Sequence, residues 1–362
     1  MTVRLAVGTY PAAGPEAEPG TGEGIWFVDL DEVTGALTGR QVVAAPAPSF
    51  VAAHGDCLLA VGETSPGRVT RLAVGAGDDG GLVAAETVAS GGSGPCHVLW
   101  HPSGRAAYVA NYGSGSVAVV PLAGGDPVTF VGGVAQVFEH SGTGPDAERQ
   151  EGPHAHSTVL APGGTHLLAA DLGTDEIRRY RVEADGSLAE DGVAAVLPPG
   201  TGPRHMAVGP GDHLYVVGEL DVTLHVLRWD GDHLEPVQVV PACATPLRTG
   251  RRVLPAHVAL AAGTDGPAAA DPVVLVSVRG ADVLARFTVH DGGARLVHDG
   301  DLPVGGAWPR HFAVVGDWVV AALQNADRVV ALRWRDGAAG AAGTVGGELA
   351  VPVPACVVPL AP

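Results

Sequence analysis

Residues 202–220 read GPRHMAVGPGDHLYVVGEL. An apolar run opens on Pro203-Arg204-His205, Pro210-Gly211 supplies a turn, and a second apolar run, Leu214 to Gly218, ends at Glu219. Two short β-type runs joined by turn chemistry read as a hairpin. The same frame recurs along the chain. Pro309-Arg310-His311 repeats the opening outright, Pro95-Cys96-His97 and Pro255-Ala256-His257 repeat it loosely, and Pro153-His154-Ala155-His156 lengthens it.

With the His205 position as anchor, equivalent positions fall at Phe50, His97, Ser157, His257 and His311, giving separations of 47, 60, 48, 52 and 54. The His257 copy carries an eight-residue insertion near Asp265-Gly266-Pro267. A period of about 50 residues with roughly four short strands per unit belongs to β-propellers. A seventh unit comes in two pieces. Pro354-Ala355-Cys356-Val357-Val358 resembles an anchor strand, and Arg4 to Tyr10 and Gly24 to Val28 resemble the strands that follow it. The expected fold is therefore an all-β, seven-bladed propeller filling residues 1–362 as one domain, closed by a blade that combines both termini.

Composition agrees with short strands. The chain is 46% hydrophobic and 17% charged, with 53 Gly and 29 Pro, and no stretch shows convincing helical periodicity. Runs such as Arg105 to Ala110 and Leu167 to Ala170 are too short for helices, and Asp31 to Gly35 and Asp185-Gly186-Ser187 read as hairpin connections. The net charge is −18 and every basic residue other than His is Arg, which argues against nucleic acid as a partner. An anionic substrate needs a local Arg cluster to overcome this field. No apolar run spans a membrane, and no signal peptide is evident at Met1, so a cytoplasmic protein is expected. The four scattered cysteines support neither a zinc site nor a disulfide framework. The sequence leaves the oligomeric state open.

In a propeller the inner strands face a central channel, so anchor residues converge on one mouth. The residue fourteen past each anchor ends the antiparallel neighbouring strand and returns to the same mouth. This places His154, His156, Arg204, Glu219, Arg279, Arg310, Asp171, Asn111 and Gln324 together. Arg pairs with carboxylates or phosphates, and His or Glu moves protons near neutral pH. Repetition of His97, His205, His257 and His311 across blades reads as architecture, whereas residues that differ between blades are the candidates for chemistry. His154-x-His156 could present two imidazoles on one strand face, but no third ligand accompanies them, and no metal or other cofactor is expected. Gly113 to Ser116 reads as a β-turn rather than a phosphate cradle, and no Gly-x-Ser-x-Gly elbow occurs.

The stretch from Gly142 to Pro145 followed by Glu148 to Ser157 resembles the signature of the lactonase-type seven-bladed propellers. That family contains bacterial propeller-type 6-phosphogluconolactonases and fungal carboxy-cis,cis-muconate cyclase. Asp171 to Asp175, Gly202 to His205, Gly218-Glu219-Leu220, Arg279 to Asp282 and Ala110 to Val117 match as well. Val278, Ala281 and Leu323 depart from common family residues. The resemblance implies a site of one His, one Glu and two Arg, falling on His154, Glu219, Arg204 and Arg279 as catalytic residues. His156, Arg310, Asp171, Asn111 and Gln324 are then expected to contact substrate. It also implies lactone chemistry: hydrolysis of a sugar or sugar-phosphate lactone, or ring opening and closing of a muconolactone-type compound. A propeller that only binds a ligand or a protein stays as the third reading.

Overall fold

In the computed structural model, which describes residues 1–10, 22, 24–75, 81–124, 128–245, 251–261, 272–336 and 341–360, antiparallel sheets form seven blades in a ring. The innermost strands are Phe50–His54 in blade 1, Pro95–Trp100 in blade 2, Ala155–Leu160 in blade 3 and Pro203–Val208 in blade 4. Leu254–Ala261, Pro309–Val315 and Pro354–Pro359 follow in blades 5, 6 and 7. Each inner strand packs beside the next, and the last contacts the first. Blade 7 takes Pro354–Pro359 from the C-terminus and pairs it with Thr2–Thr9, in the register Val7 opposite Val357. Ile25–Asp31 and Leu37–Val43 complete that sheet. This tie between the termini is the closure expected from the sequence. The insertion near Asp265 lies outside the described residues.

Packing explains why the second strands of the blades are apolar throughout, whereas the outermost strands, such as Leu188–Val196 and Leu234–Pro241, alternate between buried and exposed positions. Both faces of a blade are covered by neighbouring blades, so both side-chain rows lose contact with water. Tyr215, Val217 and Val226 of blade 4, for example, pack on Val276, Val278 and Phe287 of blade 5. Corresponding clusters fill the other junctions, such as Val109 and Val120 against Leu59 and Val61. The second strand of blade 2, Ala106–Asn111, is buried at every position.

The turn chemistry is as read. Asp31 Oδ1 accepts from the backbone N–H of Val33 and Thr34, with Gly35 at φ +77°. Asp185 caps Ser187 in the same way beside Gly186 at φ +86°. The Gly113–Ser116 segment is a turn into the strand Ser116–Ala123. Gly115 lies so close to Pro153 that an added Cβ would fall 2.3 Å from its carbonyl oxygen. That contact seats Tyr112 of blade 2 against the chain entering blade 3. All four cysteines are free and buried.

Candidate active site

Most inner strands begin with an irregularity. Cys96, His156, Arg310 and Ala355 are each inserted between pairs on their strands, and Arg204-His205 and Ala256-His257 face single residues across the ladder. Such bulges re-aim a side chain and break the alternation of the strand. Ser49, Cys96, His156, Arg204, Arg310 and Ala355 thereby line one small cavity at the channel mouth, floored by Phe50, His205 and His311.

Below this cavity the anchors form a plug. His97 lies 4.5 Å from Phe50, and His257 lies 3.8 Å from His311, between ring centroids. His205 contacts both His97 and His257. Burial, reinforced by the Arg204 charge, pushes His97 and His257 down to about 3. The same causes hold His205 and His311 well below the ordinary imidazole value. These rings are neutral packing elements, in keeping with the architectural reading. Nitrogens of His205, His257 and His311 come within 4.8 Å of one another, a grouping that could hold a metal ion. Arg204 and Arg310, beside the same cavity, oppose a cation there.

A second ring consists of the first residue beyond the partner of each bulge-flanking position: Tyr10, Tyr112, Leu172, Glu219, Arg279 and Gln324. They are joined in blade 1, whose hairpin carries no bulge, by Glu63, whose N–H donates to the Ala47 carbonyl as that of Glu219 donates to Gly202. Here the structure corrects two expectations. Tyr112 and Leu172 stand fifteen residues past their anchors, Glu219 fourteen, and Glu63 and Gln324 thirteen, because the turns between strands differ in length. A fixed count of fourteen therefore lands on Asn111 and Asp171, one residue short of the mouth. One residue of slip turns a strand side chain to the other face. Asn111 is fully buried and donates to the Ser90 carbonyl at 3.2 Å. Asp171 is also fully buried; it faces His140 Nδ1 at 2.5 Å and accepts from the backbone N–H of His154 at 2.8 Å. Neither reaches the cavity.

Glu219 is the electrostatic centre. It is 2% exposed; Arg279 Nη2 donates to Oε2 at 2.7 Å, and Arg149 Nη2 donates to Oε1 at 2.7 Å. Arg204 Nε also sits 2.7 Å from Oε2, an ion pair without hydrogen-bond alignment. Burial works to raise the Glu219 pKa, but Arg279, Arg204 and Arg149 outweigh it and hold the carboxyl well below its ordinary range. Arg204 is lowered to about 9 by burial and by Arg279. The Arg279 guanidinium is braced by the Leu254 carbonyl and lies 5.6 Å from the Trp308 ring centroid.

Arg149, which the sequence reading did not single out, comes from the long loop before His154. Gln150, fully buried, fixes that loop by donating to the Leu172 carbonyl at 2.9 Å and to Asp175 at 2.8 Å. Its signal in the sequence was the Glu148 to Pro153 motif itself, but only the folded loop reveals that Arg149 turns inward. Tyr112 was missed for the reason Asn111 was chosen.

His154 stacks on Tyr112 with centroids 4.3 Å apart. Its Nδ1 faces the Tyr112 carbonyl oxygen at 2.9 Å; that oxygen only accepts, so Nδ1 carries the proton in the neutral ring and Nε2 keeps its lone pair. The Glu151 carboxylate lies 3.3 Å from Nε2. His156 is separated from His154 by the bulge. It contacts His205 in the channel, and burial together with Arg204 keeps it well below the ordinary value. The two imidazoles therefore do not form the side-by-side pair that an extended His-x-His would give.

On the far side of the mouth, Arg310 lies 5.7 Å from the Tyr10 ring centroid and 3.9 Å from Glu63. Gln324 lies 1% exposed on the same blade as Arg310. The structure thus brings His154, His156, Arg204, Glu219, Arg279, Arg310 and Gln324 to one mouth and leaves Asn111 and Asp171 beneath it.

Comparison with known proteins agrees with this architecture. The family model "Lactonase, 7-bladed beta-propeller" matches residues 4–359. The chain is 30% identical to a 6-phosphogluconolactonase of Bacillus subtilis, over 97% of this chain and 96% of that protein. It is 28% identical to an uncharacterised protein of Staphylococcus saprophyticus, over 99% of each. The periplasmic gluconolactonase structure of Pseudomonas aeruginosa aligns with a TM-score of 0.83 and 28% identity, covering 100% of this chain and 99% of that one. The chain belongs to the lactonase family of seven-bladed β-propellers.

Proposed function

We propose that the protein is a lactone hydrolase of the 6-phosphogluconolactonase type, opening a sugar or sugar-phosphate lactone without a metal or other cofactor. The observation that carries this reading is the cluster of Arg149, Arg204 and Arg279 around one buried carboxylate, beside His154, whose Nδ1 is fixed on the Tyr112 carbonyl and whose Nε2 faces Glu151. In a chain of net charge −18, such a cluster creates a local basic site for an anionic or oxyanionic substrate. The Bacillus subtilis and Pseudomonas aeruginosa relatives support lactone chemistry.

In this reading His154 Nε2 takes a proton from the attacking water, and the oxygen adds to the lactone carbonyl carbon. The Arg149, Arg204 and Arg279 guanidiniums stabilise the oxyanion that forms, since donors set in place before reaction cost no reorganisation. Glu151 stabilises the imidazolium. As the ring C–O bond breaks, the imidazolium returns its proton to the departing alkoxide, giving the free hydroxy acid. Glu219, held ionised by three arginines, is too weak a base for the first step and serves to position them. Arg310, only loosely paired with Glu63, is available to a phosphate substituent. The free, buried cysteines fit the reducing cytoplasm.

The test is hydrolysis of 6-phosphogluconolactone and gluconolactone, measured above the spontaneous rate. Turnover that disappears in His154→Ala supports the reading. Wild-type turnover in that variant, or turnover of a muconolactone with no lactone hydrolysis, overturns it.

A further inference from the structure

We propose that the channel binds a halide ion in the small cavity lined by Ser49, Arg204 and Arg310, beside the Glu219 cluster. The site is separate from any substrate and does not depend on the lactonase reading.

The cavity follows from the repeat. Ser49, Cys96, His156, Arg204, Arg310 and Ala355 each stand one residue before the anchor position of their blade, and all six line it. Two of them are cations and the others carry no charge. Burial raises the Cys96 thiol, which donates to the His156 carbonyl at 3.2 Å. Burial, and after it the Arg204 and Arg310 charges, keeps the His156 ring neutral. Among the described residues no carboxylate lines the space.

Charge around the cavity does not balance. Arg149, Arg204 and Arg279 share Glu219, and Arg310 lies 3.9 Å from Glu63, so four guanidiniums face two carboxylates. Buried positive charge without a partner is costly, and an anion between the cations relieves it. Ser49 supplies a neutral donor to the same space. It is 3% exposed, and its Oγ has no hydrogen-bond partner among the described residues. Buried hydroxyls are normally paired, so this one is matched to a ligand.

Size and chemistry select the ion. The cavity volume is about 10 Å³, the room of roughly one water-sized sphere. Phosphate, sulfate and the carboxylate of a sugar acid are too large for it. The Ser49 hydroxyl and the two guanidiniums suit a species that only accepts. A water molecule would fit but leave the charge uncompensated, whereas chloride or bromide answers both size and charge.

The experiment follows thermal unfolding of the full chain as sodium chloride replaces sodium methanesulfonate at constant ionic strength, so that screening stays fixed. The melting temperature should rise with chloride and then saturate, as for a ligand that binds only the folded state. Bromide should act alike, and a bromide-soaked crystal should show its anomalous peak between Ser49 and Arg310. Arg310→Gln should abolish the saturable rise. Ser49→Ala should raise the half-saturating chloride concentration about tenfold, as for a lost hydrogen bond to a charged group. That second variant keeps the test available if the first fails to fold. A missing peak at that place, or variants that saturate like the wild type, overturns the site. So does a peak without a saturable rise, which marks an adventitious ion only.

Discussion

Arg279 and Glu219, 60 residues apart in sequence, meet at 2.7 Å inside the channel mouth, and neither is more than 5% exposed. Because Arg149 and Arg204 share the same carboxylate, its removal unpairs three cations, two of which, Arg204 and Arg279, lie where water cannot screen them. Glu219→Ala should therefore destabilise the fold by about 3–5 kcal/mol, read as a lower midpoint in urea. An unchanged midpoint would show that the cluster does not depend on Glu219.

His154→Ala should lower kcat/KM for lactone hydrolysis by roughly 10²–10⁴-fold, the usual worth of a positioned general base. The acidic limb of the pH–rate profile should vanish with it. Glu219→Gln, by contrast, should reduce the rate while leaving that limb in place. A limb lost in Glu219→Gln instead would assign the base to Glu219.

Arg149 sits on a loop and its side chain is 20% exposed, so its loss should spare the fold. Arg149→Ala should raise KM about tenfold, the worth of one hydrogen bond to a charged group. Its melting temperature should stay near that of the wild type. A large fall in melting temperature with KM intact would mark Arg149 as structural.

Asp171 ties His140, Gly173 and the backbone of His154 together beneath the site. Asp171→Ala should cost about 2–4 kcal/mol in stability, since several buried partners lose their acceptor. Activity should fall as well through displacement of His154. Full activity in a destabilised variant would separate the two effects.

The imidazole plug makes the fold sensitive to acid. His97 and His257 stand at about 3 when folded and near the ordinary 6.5 when unfolded, so between those values the unfolded chain binds more protons. Stability is complete above about pH 6.5 and falls as the pH drops toward 3, by up to about 1.4 kcal/mol per pH unit for each such group. Blade 1 already places Phe50 at the equivalent position. His97→Phe should flatten the dependence of melting temperature on pH between 6.5 and 4. An equally steep curve would show that His97 does not contribute.

The fold was legible because a repeat needs only its period. Turn residues, apolar runs and the recurring Pro-x-His placed seven units and the closure of blade 7 from Pro354–Pro359 and Thr2–Thr9. The site was legible in part. The structure brings Arg204, Glu219, Arg279 and His154 together at the mouth, as the motif and the count led one to expect of their placement. Asn111 and Asp171 were misplaced because turn length varies by a residue between blades, and sequence spacing cannot register that slip.

The amino-acid sequence by itself determined the ring, since hydrophobic periodicity and turn chemistry are local properties that repeat. Only the tertiary structure decided which side chains enter the channel. Bulges at His156, Arg204 and Arg310 re-aim residues that strand alternation would turn away, and the buried Gln150 folds Arg149 back onto Glu219. The bulges depend on how the ladder of each hairpin slips at its mouth end, and the Arg149–Glu219 contact joins segments 70 residues apart; neither is written in the strand and turn pattern.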